Sequence, residues 1–339
     1  MNERYSRQIL FSKFGEKGQR QFSQKHVLMV GAGALGTGNA EILTRAGVGK
    51  ITIVDRDYVE WSNLQRQQLY TEADAHERIP KAIAAKRKLQ EINQEVEIVA
   101  YIIDIVPENM KRLVADVDLI IDATDNFEIR MIINDISQKH RIPWIYGSCV
   151  GSYGISYTII PGETPCLHCL MESVPIGGLT CDTAGILSPT VNMVVSHQSI
   201  EAFKLLAGDY KSLRKKLISF DLWENQFSTV RVDSLKKIDC SSCGHEQTYP
   251  FLSYGHQMKT AILCGRDTVQ IRPTEQSERN IPETAETLSS NGFSVKYNAF
   301  LLSVEVEQQR LVMFKDGRTL VHGTKDVRQA RTLYHQYLA

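Results

Sequence analysis

His26–Asp57, HVLMVGAGALGTGNAEILTRAGVGKITIVDRD, is the stretch whose reading decides the fold. Four apolar residues, Val27 to Val30, run directly into Gly31-Ala32-Gly33-Ala34-Leu35-Gly36. A helical pattern follows, then a second apolar run, Ile51 to Val54, that stops at Asp55. Strand, glycine turn, helix, strand and acid in that order make a dinucleotide-type βαβ unit. Gly31 permits the tight turn, Gly33 lets backbone N–H groups approach a phosphate, and Gly36 lets the helix pack close to the strand. The helix start offers free N–H groups and a positive dipole end to an anion. Asp55 stands 19 residues beyond Gly36, where such units place the carboxylate that takes ribose hydroxyls. A glycine turn serving packing alone would not require this ordered context.

Composition narrows the class. At 339 residues the chain suits one large domain plus a smaller one. Lys plus Arg equals Asp plus Glu at 39 each, so no global field recruits nucleic acid or an anionic membrane. Neither an apolar run of spanning length nor the apolar core of a signal peptide is found, and the expectation is a soluble, cytoplasmic protein. Neither an internal repeat nor a low-complexity tract stands out.

Around the nucleotide unit, residues 4–22 mix Arg4, Arg7, Lys13, Lys17 and Arg20 with Tyr5, Ile9, Leu10, Phe11, Phe14 and Phe22. They read as a leading amphipathic arm that lies on the nucleotide domain and is also able to reach a partner subunit. A polar, irregular loop carries Asp57, Asn63, Arg66 and Gln67, and a helix over about 80–92 follows. Lys81 occupies that helix's first turn behind Pro80; a cation there opposes the dipole, which argues for function over structure. Strands are predicted at 96–100 and 118–122, with a helix at 107–116 between them. Asp125 and Asn126 follow the second of these strands, on the rim where an open parallel sheet binds ligands. Either residue also suits the N-cap of a helix at 127–139, and one residue could serve both purposes.

A strand at 143–147, a β-rich stretch at 153–160, a helix at 189–206 and strands at 217–221 and 226–232 come next. Cys166-Leu167-His168-Cys169 and Cys240-Ser241-Ser242-Cys243 hold two CxxC pairs with 70 residues between them. Seven clustered cysteines do not make a secreted disulfide scaffold in a chain this long. Four thiolates match a closed tetrahedral zinc site, which outweighs paired redox motifs; His168 and His245 are read as bystanders. From Pro250 the texture changes to short strand-like runs at 261–264, 268–272, 294–297, 301–306, 310–314 and 318–322. Helices near 283–290 and 325–338 complete this stretch, and Asp316-Gly317 marks a hairpin turn. The expected architecture is α/β: a Rossmann-like doubly wound sheet continuing into an antiparallel β region with a four-cysteine zinc site, then a small α+β module. The boundaries are 1–245 for the nucleotide domain and 246–339 for the module, whose role is not evident.

A Rossmann-type loop suggests an NAD(P)-dependent oxidoreductase, and a non-catalytic zinc-stabilised scaffold is a further alternative. Against the dehydrogenase, Asn63, Arg66, Gln67 and Lys81 supply more polar and cationic groups than one pyrophosphate needs. ATP with Mg²⁺ does need them, with Asp125 able to hold the metal. The absence of G-x-x-x-x-G-K-[ST] excludes a P-loop ATPase.

RYSRQ (4–8), GAGALG (31–36), DRD (55–57), SNLQRQ (62–67), Pro80-Lys81, ATDN (123–126), the two CxxC pairs and LTCDTAG (179–185) together resemble the E1-like adenylyltransferase family. That family contains the molybdopterin-synthase and thiamin-biosynthesis activating enzymes and the ubiquitin-activating enzymes. The matches span residues 4 to about 245. By this resemblance Asp55 holds the ATP ribose, with Asp57, Gln67 and Asn126 in the same site. Asn63, Arg66 and Lys81 contact the phosphates, Asp125 binds Mg²⁺, and Arg7 reaches the other subunit's site, implying a homodimer. Cys166, Cys169, Cys240 and Cys243 match structural zinc ligands, and Cys181 matches a thiol on a crossover loop. Ala34 stands where a glycine is common, and Arg78-Ile79 where a glycine often precedes Pro-Lys. Cys264-Gly265-Arg266 is only a faint echo of a rhodanese loop.

The reaction so implied is attack by the C-terminal glycine carboxylate of a ubiquitin-like sulfur-carrier protein on the α-phosphate of ATP. It gives an acyl-adenylate and pyrophosphate for sulfur transfer in molybdopterin or thiamin biosynthesis, with a cysteine desulfurase as a candidate sulfur donor. Cys181 has two open readings, a participant after adenylation or a loop thiol without an essential role.

Overall fold

A computed structural model describes residues 3–171, 184–253, 260–262, 267–272, 278–306 and 308–338. Cys181 and most of the LTCDTAG stretch lie outside these residues. The chain divides into two compact units, 1–255 and 256–339.

The first unit opens with two short helices, α1 (Ser6–Ile9) and α2 (Gly15–Phe22). Strand β1 (His26–Val30), helix α3 (Ala34–Arg45) and strand β2 (Lys50–Asp55) then form the expected βαβ unit. α4 (Glu72–His76), α5 (Lys81–Ile92), β3 (Glu97–Ile102), α6 (Pro107–Leu113), β4 (Leu119–Asp122), α7 (Phe127–His140) and β5 (Trp144–Val150) extend it. The strand order is β3-β2-β1-β4-β5, all parallel. The order reverses beside β1, which opens a crevice at the carboxyl ends of β1 and β4.

Alternating side chains explain why the sheet is covered on both faces. Val27, Met29, Ile51, Ile53, Leu119 and Ile121 belong to a core that includes α3, α5 and the long helix α9 (Ser188–Leu206). Leu28, Val30, Val54 and Ile120 join the opposite core, with Ile132, Ile133 and Ile136 of α7. Phe14 and Phe22 of the leading arm stack against Phe203 of α9 at 5.7 and 4.9 Å, so the arm is fastened to the nucleotide domain.

Three antiparallel strands, β6 (Tyr153–Ile159), β7 (Leu217–Asp221) and β8 (Gln226–Val230), continue the sheet beyond β5. Helix α8 (Leu167–Met171) carries Cys169, with Cys166 immediately before its first residue. A 3₁₀ turn, Pro250–Leu252, packs its Leu252 into the α7 core, and the Phe251 N–H donates to Asp135 at 2.9 Å. These contacts extend the first unit past residue 245.

In the second unit β9 (Thr260–Ile262) and β10 (Thr268–Ile271) precede helix α10 (Ile281–Ser290). β11 (Val295–Tyr297), β12 (Leu301–Val306), β13 (Gln309–Phe314), β14 (Thr319–His322) and helix α11 (Val327–Tyr337) follow. The six strands form an antiparallel sheet in the order β11-β12-β13-β14-β10-β9. Ile281 and Leu288 of α10 and Leu333 and Tyr334 of α11 cover one face. Gly317, at φ +79°, completes the turn between β13 and β14.

Candidate active site

The glycine loop distinguishes packing glycines from one that packing does not require. Gly31 has φ +100°, and a Cβ there would lie 2.5 Å from the Ala123 carbonyl. A Cβ on Gly36 would drive into the Gly31 carbonyl. Both are fixed by the tight passage from β1 into α3. Gly33 is different: its nearest neighbours to such a Cβ are Gln67 Nε2 at 3.9 Å and the Ala123 carbonyl at 4.0 Å. The surface in front of Gly33 at the α3 N-terminus is therefore open to a ligand.

The residues beside that surface are polar and buried. Gln67 is 4% exposed, and its Oε1 has no hydrogen-bond partner among the described residues. Asn63, 1% exposed, accepts the Glu60 N–H at 3.0 Å, closing the 3₁₀ turn Trp61–Asn63 within the loop after β2. Arg66 donates to the Ser62 carbonyl at 2.8 Å and is half-buried. The backbone N–H groups of Arg66 and Gln67 both donate to the Asn63 carbonyl, which stacks these three side chains on one compact turn.

At the carboxyl end of β2, Asp55 accepts the Ala32 N–H at 2.6 Å and the Asp57 N–H at 2.7 Å. Burial pushes its carboxyl above the usual range, opposed by the Lys81 ammonium. Helix α5 starts at Lys81, whose N–H donates to the Asp57 carbonyl at 2.9 Å. The Lys81 ammonium lies 3.4 Å from Asp57 Oδ2 although the residue is only 4% exposed. Arg56, on the same turn, pairs with Asp104 at 3.3 Å.

On the other rim, Asn126 accepts the Ile129 N–H at 3.2 Å and is the N-cap of α7. Asp125 is thereby relieved of capping and presents an exposed carboxylate after β4. The loop between them is anchored by a buried pair, Arg130 to Asp122 at 3.0 Å, with Arg130 also donating to the Thr124 carbonyl at 2.6 Å. Burial raises the Asp122 carboxyl and the Arg130 charge opposes that rise. Sequence reading did not single out Arg130, or Gln198 on α9. The Gln198 amide donates to the Asp122 carbonyl at 2.8 Å and accepts from Asn39 of α3 at 2.8 Å. A polar residue within an apolar helix was the available signal for Gln198.

Arg7 lies elsewhere. Its neighbour Gln8 donates to the Ala46 carbonyl at 3.1 Å, just beyond the C-terminus of α3. A helix of the 12 residues Ala34–Arg45 is about 18 Å long, so α1 docks at the end of α3 remote from the glycine loop.

The two CxxC pairs converge. Cys166, Cys169, Cys240 and Cys243 are all buried and unpaired as disulfides, with every sulfur within 4.8 Å of the others. Separations are 3.9 Å for Cys166–Cys169, 3.7 Å for Cys166–Cys240 and 3.5 Å for Cys169–Cys243. A tetrahedron of thiolates with Zn–S bonds of 2.3 Å has edges of about 3.8 Å, so this donor set fits zinc. Hydrogen bonding among the four sulfurs draws Cys169 and Cys240 toward thiolate and pushes Cys166 and Cys243 toward thiol, as expected of four thiols that share their protons at close quarters. His168 Nδ1 sits 3.2 Å from Ser242 Oγ, beside the cluster.

Residues 5–242 match the model of the ThiF family. A Bacillus subtilis protein named sulfur carrier protein ThiS adenylyltransferase is 50% identical over 338 residues, covering both chains completely. The Escherichia coli molybdopterin-synthase adenylyltransferase is 33% identical over 71% of this chain and 96% of its own. Among solved structures, Escherichia coli MccB superposes with a TM-score of 0.63 at 22% identity, over 72% of this chain and 75% of that one, which is a likeness of fold. By the family match over most of its length and by its full-length relative, this chain belongs to the ThiF family.

Proposed function

We propose that this chain uses ATP to adenylylate the C-terminal glycine carboxylate of a small ubiquitin-like sulfur-carrier protein. The observation that carries the nucleotide part is Gly33, with open space before its Cα, beside the buried Gln67 Oε1 that has no partner among the described residues. The carrier follows from the named activity of the Bacillus subtilis relative. That relative matches the second unit as well, whereas the molybdopterin-synthase relative spans 71% of this chain. A thiamin-type carrier is accordingly the favoured partner and a molybdopterin-type carrier the second reading.

In the reaction a carboxylate oxygen of the carrier attacks the α-phosphorus, the Pα–O–Pβ bond breaks, and pyrophosphate leaves. The carboxylate is already ionised, so this step transfers no proton and needs no protein nucleophile. Catalysis is positioning and charge balance. Gly31, Gly33 and Gly36 form the phosphate-facing turn, and Asp55 takes the ribose from the end of β2, with Asp57 behind it. Asn63, Arg66, Gln67 and Lys81 face the phosphates. Asp125, exposed and relieved of capping by Asn126, would hold Mg²⁺ by one carboxylate, the usual manner beside phosphates. The remote docking of α1 supports Arg7 acting in the partner subunit of a homodimer. Zinc is structural, Cys181 acts after adenylation if at all, and a desulfurase-type donor supplies sulfur to a cytoplasmic enzyme.

ATP–pyrophosphate exchange with purified thiamin-type and molybdopterin-type carriers tests this reading. Exchange should require a carrier ending in glycine and be fastest with the thiamin type. Nucleotide binding with no exchange for any carrier would overturn it.

A further inference from the structure

Five links close a ring at the base of the glycine loop. The Ala32 N–H donates to Asp55, and Asp55 in turn accepts the Asp57 N–H. The Asp57 carbonyl accepts the Lys81 N–H at 2.9 Å. The Tyr70 hydroxyl completes the circuit, 2.6 Å from the Ala32 carbonyl and 3.1 Å from the Lys81 carbonyl. One hydroxyl proton serves these two carbonyls, and the shorter contact is the one to Ala32. The glycine loop, the end of β2 and the start of α5 are thus joined by bonds that all run through backbone groups.

From this ring we infer that Tyr70 is a positioning residue, whose hydroxyl holds the glycine loop in register with Lys81 for the phosphates of the nucleotide. Ala32 lies between Gly31 and Gly33 and is 1% exposed, so water cannot replace the hydroxyl at its carbonyl. Both polar groups of Ala32 are committed, N–H to Asp55 and carbonyl to Tyr70. With both fixed, the N–H groups that follow at the α3 start have one orientation. Losing the hydroxyl leaves the Ala32 carbonyl buried without its donor and lets the loop rotate to seek another. Small displacements of a positioning group are costly in phosphate sites, because catalysis there depends on placement. Burial holds the Tyr70 phenol well above its usual range, so it remains a proton donor at working pH.

This inference rests on the nucleotide reading above. Its test is calorimetric titration of the full chain with MgATP, without carrier, for wild type, Tyr70→Phe and Leu69→Ala. Leu69 is a buried core neighbour without a polar group, and its truncation controls for packing loss. Tyr70→Phe should weaken MgATP binding at least fivefold and raise the ATP KM by a like factor in exchange, with the carrier KM unchanged. Leu69→Ala should lower the melting temperature at least as much while its Kd stays within twofold. A Tyr70→Phe protein that binds MgATP within twofold of wild type would overturn the inference. So would an equal loss of affinity in Leu69→Ala, because the effect would then belong to packing. Wild type that binds no nucleotide would instead sink the functional reading itself.

Discussion

Lys81 Nζ lies 3.4 Å from Asp57 Oδ2 at the first residue of α5, with the lysine side chain 5% exposed. A buried ammonium at the positive end of a helix is unfavourable twice over, by desolvation and by the dipole. The two aspartates after β2 offset this in the free protein, and phosphates would add to their effect when ATP binds. Lys81→Ala should therefore reduce pyrophosphate exchange by about a hundredfold, as for loss of one preorganised charge-stabilising group. Lys81→Arg, longer and planar, should restore little of it. Exchange within threefold of wild type in the alanine variant would remove Lys81 from the site.

Asp125 and Asn126 are adjacent but separable. Asn126→Ala removes the N-cap of α7 and should cost about 1 kcal/mol of stability. Asp125→Ala touches no cap and should melt like wild type, yet abolish exchange by uncovering phosphate charge. Thermal melts and exchange assays on the two variants check this. Near-normal exchange in the Asp125 variant would show that the metal is held elsewhere.

Much of this geometry was legible in the chain itself, because its signals are local. The glycine turn, the acid after β2 and the cation at a helix start each sit within a few residues of the element that gives them meaning. The cysteine pairs were legible for a different reason: two CxxC pairs together supply the four ligands of a closed tetrahedral zinc site. Local reading could not decide between Asp125 and Asn126, since either fits a cap and only the folded loop assigns it. Tyr70 and Arg130 gave no local sign, and for Gln198 the one sign was a polar residue within an apolar helix; their partners Ala32, Asp122 and Asn39 stand 38, 8 and 159 residues away. The reach of the first unit past 245 was hidden likewise, because Leu252 is buried by a core assembled from distant residues.

The four-cysteine site ties α8 to the segment after β8, so its metal should matter to stability more than to chemistry. Freshly purified protein should contain one zinc per chain by elemental analysis. Cys243→Ala should cost more than about 4 kcal/mol, the range reached when a metal site is lost. Exchange per folded molecule should stay close to wild type. Protein free of zinc, with these cysteines in disulfides, would contradict the assignment.

His197 gives a pH dependence with a definite sign. It lies against the rings of Phe220 and Phe227, each 6.0 Å away, and its buried Nε2 has no partner among the described residues. Burial, aided by Arg214 and opposed by Glu201, holds its imidazole below the usual value. The folded chain therefore binds this proton more weakly than the unfolded one. The resulting stability is complete above the unfolded pKa of about 6.5 and is lost as pH falls through the depressed native value. Melting temperatures taken from about pH 8 to about pH 5 should decline toward acid, and His197→Leu should flatten that decline. An unchanged slope in the variant would assign the effect to His26 and His140, which burial also depresses.

Gly31 and Gly33 should separate folding from binding. An alanine at Gly31 must adopt φ +100° and would set its Cβ 2.5 Å from the Ala123 carbonyl. It should destabilise the protein by about 1–3 kcal/mol, the range for a backbone held in a sparsely populated region, and any further cost would come from the clash. Gly33 has an ordinary φ of −79° and open space beyond its Cα, so Gly33→Ala should fold and melt like wild type. Its methyl would nevertheless stand where a phosphate meets the α3 N-terminus. MgATP binding should weaken by about tenfold, or roughly 1.4 kcal/mol, with no matching fall in melting temperature. A Gly33→Ala protein that binds MgATP as wild type does would mean the phosphates approach by another route, and the open space before Gly33 would then have no role in the nucleotide site.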